Sequence, residues 1–246
     1  MDSLLHVNHF GKILQTVCVF PVIAFLLVAA ISCVEPTDSE WEILFDGSST
    51  SAWRGFHRSE FPDQGWIIDR DSLKTIPGGD VVGIITRDQY ESFELTLEWR
   101  VSAGGNSGIF LHVSEESPSV WASAFEFQIL DDKLSQDGDN PLTSAGALYD
   151  LIAPQNKVLR PVGEYNEARV IVHGQHIEHW LNGVKVVKFD SESSKLKTMI
   201  SKSKFQHMRN LSIAPIGSNR MGHVGLQHHG QEVWLRNIKI RRLTPR

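Results

Sequence analysis

Phe93-Glu94-Leu95-Thr96-Leu97-Glu98-Trp99-Arg100-Val101 alternates apolar and polar side chains almost without a break. Successive side chains of an extended chain point to opposite faces. The run therefore reads as a β-strand with one face for a core and the other acidic and basic. Two neighbouring stretches extend the reading: Gly104 to Val113, GGNSGIFLHV, and Phe125 to Asp132, FEFQILDD. In the second, Phe125, Phe127 and Ile129 share one face, while Glu126, Gln128 and Leu130 take the other. A carboxylate and an amide thus look out together from a strand whose opposite face is built for burial. That arrangement suits a sugar-sized polar ligand or an acid/base reaction.

Further out, short alternating runs recur at close spacing from Trp41 onward, each bounded by Gly, Asp, Asn or Pro. They include Gly65 to Ile68, Val81 to Thr86, Ala168 to His173, His176 to Leu181, Val184 to Phe189, His223 to Gln227 and Val233 to Ile240. Asn182-Gly183 joins two of them and is a strong hairpin signal, because a type I′ turn needs positive φ at both central positions. The one expected helix is the insertion near 191–205, where Leu196, Met199 and Ile200 recur at i, i+3, i+4 and Ser191 could cap. Many short strands with a single helical insertion favour an all-β, two-sheet sandwich over any βαβ fold.

Length and composition agree with one domain. The chain has 246 residues, 41% of them hydrophobic and 22% charged, which is ordinary for a globular protein. A net charge of −5 and scattered Lys and Arg residues argue against a nucleic-acid partner. The apolar run from Ile13 to Ser32 reads as a signal h-region. It ends in Ala30-Ile31-Ser32-Cys33, which resembles a bacterial lipobox with Cys33 as the lipidated residue. Residues 1–33 are therefore expected to be a signal or lipoprotein signal segment, 34–40 a linker and 41–246 the folded domain. Membrane association would come only through the N-terminal lipid or, if the segment is retained, a signal anchor. Cys18 and Cys33 both fall in that segment, so the domain carries no disulfide.

Several blocks occur in a telling order: FDG at Phe45 to Gly47, FELTLEWRVSAGGNSGIFLHV, FEFQILDD, GALYDLIAP at Gly146 to Pro154, HIEHWLNG at His176 to Gly183, GLQHHG, and WLRNIKI. Together they resemble the 3-keto-disaccharide hydrolase family, also described as 3-keto-glucoside 1,2-lyase or 3-keto-2-hydroxy-glucal hydratase domains, over Trp41 to Leu243. The resemblance implies a concanavalin A-like jelly-roll sandwich, a 3-keto-glycoside substrate, export on a lipoprotein, and a sugar 3-oxidoreductase as a pathway neighbour. The implied chemistry needs a base near C2, an acid near the leaving oxygen and donors for an enolate oxygen.

Glu126 is the first candidate for base or acid, because a carboxyl set on an apolar sheet has its pKa raised; the plain alternative is a solvated surface Glu. Asp131 is a candidate second catalytic carboxylate and Asp132 a substrate contact, although Asp131-Asp132-Lys133 also reads as the opening of a turn. His229 in GLQHHG is the other acid/base candidate, since imidazoles titrate near neutral pH and loops at strand ends carry function. Asn106, Gln128, Arg100 and Tyr149 are expected to bind the sugar, with Arg100 also able to order Glu126. His112 and His228 join them, at positions where the family pattern usually has other residues.

Nothing in the sequence calls for a cofactor. A Ca²⁺ or other divalent site could draw on Asp131, Asp132, Asp137 and Asp139, but the spacing is not diagnostic. His173, His176 and His179 are not expected to converge on a metal, because a turn and strand parity separate them. The alternatives to keto-sugar cleavage are a silent carbohydrate-binding module and a conventional glycosidase working through Glu126 and Asp131.

Overall fold

A computed structural model describes residues 40–206 and 215–244. The expected signal segment, Cys33 and nearly all of the linker lie outside the described residues. Among the described residues, no helix is long and apolar enough to cross a membrane.

Among the described residues, thirteen strands carry the fold: β1 (Glu42–Phe45), β2 (Trp53–Gly55), β3 (Trp66–Asp69), β4 (Ser72–Thr75), β5 (Ile84–Thr86), β6 (Phe93–Val101), β7 (Asn106–Val113), β8 (Phe125–Leu130), β9 (Asn166–His173), β10 (His176–Leu181), β11 (Val184–Asp190), β12 (His223–Leu226) and β13 (Val233–Arg242). One sheet runs β11-β10-β9-β6-β13-β4-β3, with β1 also on β13; the other runs β2-β5-β12-β7-β8. All the strand pairs are antiparallel. The result is an all-β, jelly-roll-like sandwich.

Alternation decides which side chains fill it. From β6, Leu95, Leu97, Trp99 and Val101 point into the main core, where they join Ile109, Phe127 and Ile129 of the opposite sheet. The polar partners on β6 point away from the core: Glu94 pairs with Arg169 and Arg241, and Glu98 with Arg236. In β13 the apolar positions change parity between Leu235 and Ile238. A register shift there, with Asn237 at φ 50°, takes up the extra residue and returns Ile238 and Ile240 to the core.

The hairpin between β10 and β11 forms as the sequence indicates, with Asn182 at φ 48° and Gly183 at φ 79°. The helical insertion is shorter than expected. α1 spans Ser194–Ile200, and the cap is Ser193, whose Oγ accepts from the Leu196 N–H, rather than Ser191. The strand series also missed β1, β2 and β4, each three or four residues long. Leu130, expected on the Glu126 face, is instead part of the buried core where the chain turns at Asp131.

β8 ends its sheet but is not a bare edge. The segment 146–152 lies alongside it: the Gly146 N–H donates to Gln128 O, the Gln128 N–H to Ala147 O, and the Tyr149 N–H to Glu126 O. The same segment reaches towards the other sheet, with the carbonyl of Gly146 facing the His179 ring, and just beyond it the Gln155 N–H is bonded to Val186 O. It closes one side of the sandwich.

Candidate active site

Glu126 and Gln128 project from β8 on the face away from the Phe127 and Ile129 side chains, as their parity requires. That face is not solvated. Glu126 is 7% exposed and Gln128 fully buried, because loops and the 146–152 segment cover the strand. Beside them lies a cavity of about 350 Å³ lined by Asn106, Trp121, Glu126, Gln128, Asp137, Tyr149, Lys204, Phe205, Gln227 and His229. β7 delivers Asn106, the chain after β12 brings Gln227 and His229, and Tyr149 arrives on the edge segment.

The Glu126 carboxyl accepts no hydrogen bond from the described residues. Burial pushes its pKa up to about 8; the Lys204 ammonium partly offsets that rise and the Asp137 carboxylate adds to it. Room for the carboxyl depends on Gly108. A Cβ there would come within 2.2 Å of Glu126 Oε1, so the neighbouring strand can only carry glycine at this point without displacing the acid.

A polar relay runs along the cavity wall. Gln128 Nε2 donates to Asn106 Oδ1 at 3.2 Å, and Asn106 Nδ2 to Asp137 Oδ2 at 3.4 Å. The Tyr149 hydroxyl approaches the same Asp137 oxygen at 3.5 Å, and burial together with nearby carboxylates raises its pKa, so it stays a neutral phenol. Because Asp137 accepts here, it orients both amides, and Gln128 Oε1 has no partner among the described residues. Gln227 Oε1 is likewise buried and without a partner among the described residues. Buried acceptors of this kind are normally satisfied, and a sugar hydroxyl would satisfy them.

Of the residues singled out from sequence, Glu126, His229, Asn106, Gln128 and Tyr149 therefore meet at one cavity. His229 is exposed, with Nδ1 3.2 Å from Gln231 Oε1. The others go elsewhere. Asp131 closes a turn: its carboxylate accepts the N–H groups of Gly104 at 2.8 Å and Lys133 at 2.9 Å. Asp132 accepts from the Ala145 N–H at 2.8 Å and pairs with Lys157 at 2.6 Å. Asp131 thus does the turn chemistry that was its alternative reading, while Asp132 ties the end of β8 to the chain at Ala145 and Lys157.

Arg100 sits on the outer face of the eight-stranded sheet, over the rings of Trp234 and Tyr165 at 4.2 and 4.9 Å, and does not approach Glu126. The polar face of β6 points away from the second sheet, so strand parity that was right for Arg100 placed it on the wrong side of the sandwich. His112 is buried against Phe93 with Nε2 2.8 Å from Glu91 O, and burial lowers its pKa. His228 packs edge-on against Trp66 with Nε2 3.2 Å from Ile76 O. His173 meets Thr244 O, His176 meets Glu178, and His179 is buried in the core beside Phe127. Among the described residues, no group of three or more His, Cys, Asp or Glu could hold a metal.

Sequence reasoning missed Asp137 as a site residue, along with Lys204, Trp121, Phe205 and Gln227. Gln227 lies inside the quoted GLQHHG block and could have been found by its place two residues before His229, on the same side of an extended chain. Asp137, Lys204 and Phe205 come from short 3-10 turns and Trp121 from a loop, none of them long enough to mark a direction by periodicity.

The covered, carboxyl-bearing cavity with aromatic walls lies on one sheet of a β-sandwich, and the similarities of the chain make it a sugar-cleaving, glycoside hydrolase-type enzyme. Residues 40–241 match the 3-keto-alpha-glucoside-1,2-lyase-like domain, and the chain belongs to that family. It is 32% identical over 235 residues to a 3-keto-disaccharide hydrolase of Bacteroides thetaiotaomicron, covering 84% of this chain and 80% of the relative. Two crystal structures of Parabacteroides distasonis proteins, provisionally described as glycosyl hydrolases, are also similar. One has a TM-score of 0.74 at 26% identity, covering 83% of this chain and 94% of that one. The other has a TM-score of 0.64 at 27% identity, covering 83% and 100%.

Proposed function

We propose that this enzyme cleaves 3-keto-glucosides, including 3-keto-disaccharides, by removing the C2 proton and eliminating the C1 oxygen. The observation that carries the reading is Glu126: a buried carboxyl, free of hydrogen bonds from the described residues, with its pKa raised to about 8 at the wall of a sugar-sized cavity. A keto group at C3 acidifies the C2 proton, because the electron pair left behind delocalises into the carbonyl as an enolate. A carboxylate of raised pKa is a better base for such a proton than an ordinary one.

Ionised Glu126 takes the C2 proton, and the C2–H electron pair becomes the enolate. The C3 carbonyl then reforms and a C1=C2 bond appears as the C1–O bond breaks, and the departing oxygen takes a proton from the Glu126 carboxylic acid or from His229 at the cavity mouth. Water adding at C1, with a proton returned to C2, would hydrate the glucal. The keto substrate must first be made by oxidation of a C3 hydroxyl, which implies a sugar 3-oxidoreductase upstream.

The conventional pair Glu126 and Asp131 is less well supported, because Asp131 is held in its turn. Product analysis separates the readings. Aglycone should be released from a 3-keto-glucoside and not from the unoxidised glucoside, and Glu126→Gln should lose at least about 10²-fold in kcat/KM, at the lower end for acid/base catalysis. Turnover of the plain glucoside, or full activity of Glu126→Gln, would overturn the proposal; binding without turnover would instead indicate a carbohydrate-binding module.

A further inference from the structure

The elimination just proposed develops negative charge on the oxygen at C3, and a cation aimed at that oxygen would lower the barrier. Among the described residues lining the cavity, Lys204 is the one Lys or Arg. Its Nζ lies 3.9 Å from the centre of the Tyr149 ring and 5.3 Å from that of Phe205. Its backbone N–H is bonded to Asp150 Oδ2 at 2.8 Å, which ties this part of the chain to the segment bearing Tyr149. Among the described residues, no carboxylate lies within ion-pair distance of the ammonium.

A lysine held against an aromatic face but not neutralised by a carboxylate keeps its field available to a ligand. That field already reaches Glu126, where it works against the effect of burial. Most other cations of the sandwich are differently placed: Arg54, Lys157, Arg169, Lys185 and Arg236 all sit in ion pairs.

Building on the keto-sugar reading, we infer that Lys204 is the catalytic electrophile of the reaction, donating an N–H to the C3 oxygen as the enolate forms. The proton on C2 goes to Glu126, the negative charge moves to the C3 oxygen, and the ammonium faces that charge without giving up its own proton. When the C1–O bond breaks, the charge leaves with the aglycone oxygen and the contact relaxes to an ordinary hydrogen bond to a carbonyl. Tyr149 serves as the positioning residue, its ring supporting the ammonium and its phenol remaining neutral.

The assay is kcat and KM of wild type, Lys204→Met and Lys204→Arg on a 3-keto-glucoside across pH, with solvent deuterium incorporation at C2 of recovered substrate. Lys204→Met should lose about 10²–10³-fold, as for removal of one oxyanion donor, mainly in kcat because the ground-state carbonyl is uncharged. Lys204→Arg should recover part of the loss, since its charge survives with altered geometry. The pH midpoint of kcat/KM should move upward in Lys204→Met, as the charge favouring ionised Glu126 is gone, and deuterium incorporation at C2 should drop with kcat. Lys204 is exposed, so the variants should fold; their melting temperatures check this.

Turnover by Lys204→Met within threefold of wild type, or a loss confined to KM with an unmoved pH midpoint, overturns the inference and leaves the elimination standing. Failure of wild type itself to act on the keto sugar overturns both.

Discussion

Glu126 works at a pH set by its surroundings. Its ordinary carboxyl pKa is raised to about 8, first by burial, with Asp137 adding to the rise and Lys204 opposing it. As the base it must be ionised, so kcat/KM should climb with pH and level off above a midpoint near 8. Asp137→Asn removes a like charge and should move that midpoint to lower pH, while also loosening the Asn106–Gln128 relay and raising KM. A pH–rate profile on a 3-keto-glucoside checks both; a midpoint that stays in place would mean that Glu126 is not the group being titrated. At this scale parity was informative in the sequence and partnership was not. FEFQILDD gave Glu126 and Gln128 their common face. The same rule could not show that Asp131 spends its lone pairs on the backbone of Gly104 and Lys133, nor that Asp137 terminates the amide relay, because both outcomes depend on where loops return.

Among the elements, β7 and β8 behave as a single device. The pairing that sets Gly108 opposite Gln128 also leaves a gap where the Glu126 carboxyl fits. Gly108→Ala would drive a Cβ into that carboxyl at 2.2 Å. The variant should lose at least about 10²-fold in kcat/KM and about 1–3 kcal/mol of stability, the usual cost of overpacking; kinetics and urea unfolding measure the two effects separately. An active, stable Gly108→Ala would show that the acid can sit elsewhere. The sequence pointed to these strands because their period is long enough to count, as it is in β6 and in the Asn182-Gly183 hairpin. It was silent on β1, β2 and β4 but marked the equally short β3, β5 and β12, because three or four residues establish a period only unevenly. Arg100 shows the further limit: alternation separates two faces of a strand, but only the packing of the sheets decides which outer face carries the chemistry.

Across the whole molecule, two buried titratable groups couple stability to pH in opposite directions. Glu126 has a folded pKa of about 8, above the 4.5 of an ordinary Glu. Its contribution is fully present below about 4.5 and is lost as pH rises through 8, since the unfolded chain releases a proton that the fold retains. His179, buried beside Phe127, is depressed to about 4 from 6.5 by burial, so its contribution is lost as pH falls from 6.5 through 4. Glu126→Gln should therefore melt several degrees above wild type at pH 8 and at nearly the same temperature as wild type at pH 4. Calorimetry at the two pH values decides the matter; equal melting temperatures at pH 8 would show that the carboxyl is not desolvated in the fold.

The segment 146–152 has two attachments, one to the last strand of the smaller sheet and one, through Tyr149, to the cavity wall. Sealing an aggregation-prone edge and shaping the reaction chamber are thus delegated to the same seven residues. Variation there is penalised twice, in solubility and in turnover, whereas Trp121 and the loop around Asp137 carry no edge to protect. Divergence in substrate preference among relatives of this enzyme should accordingly accumulate in those loops and spare the strap.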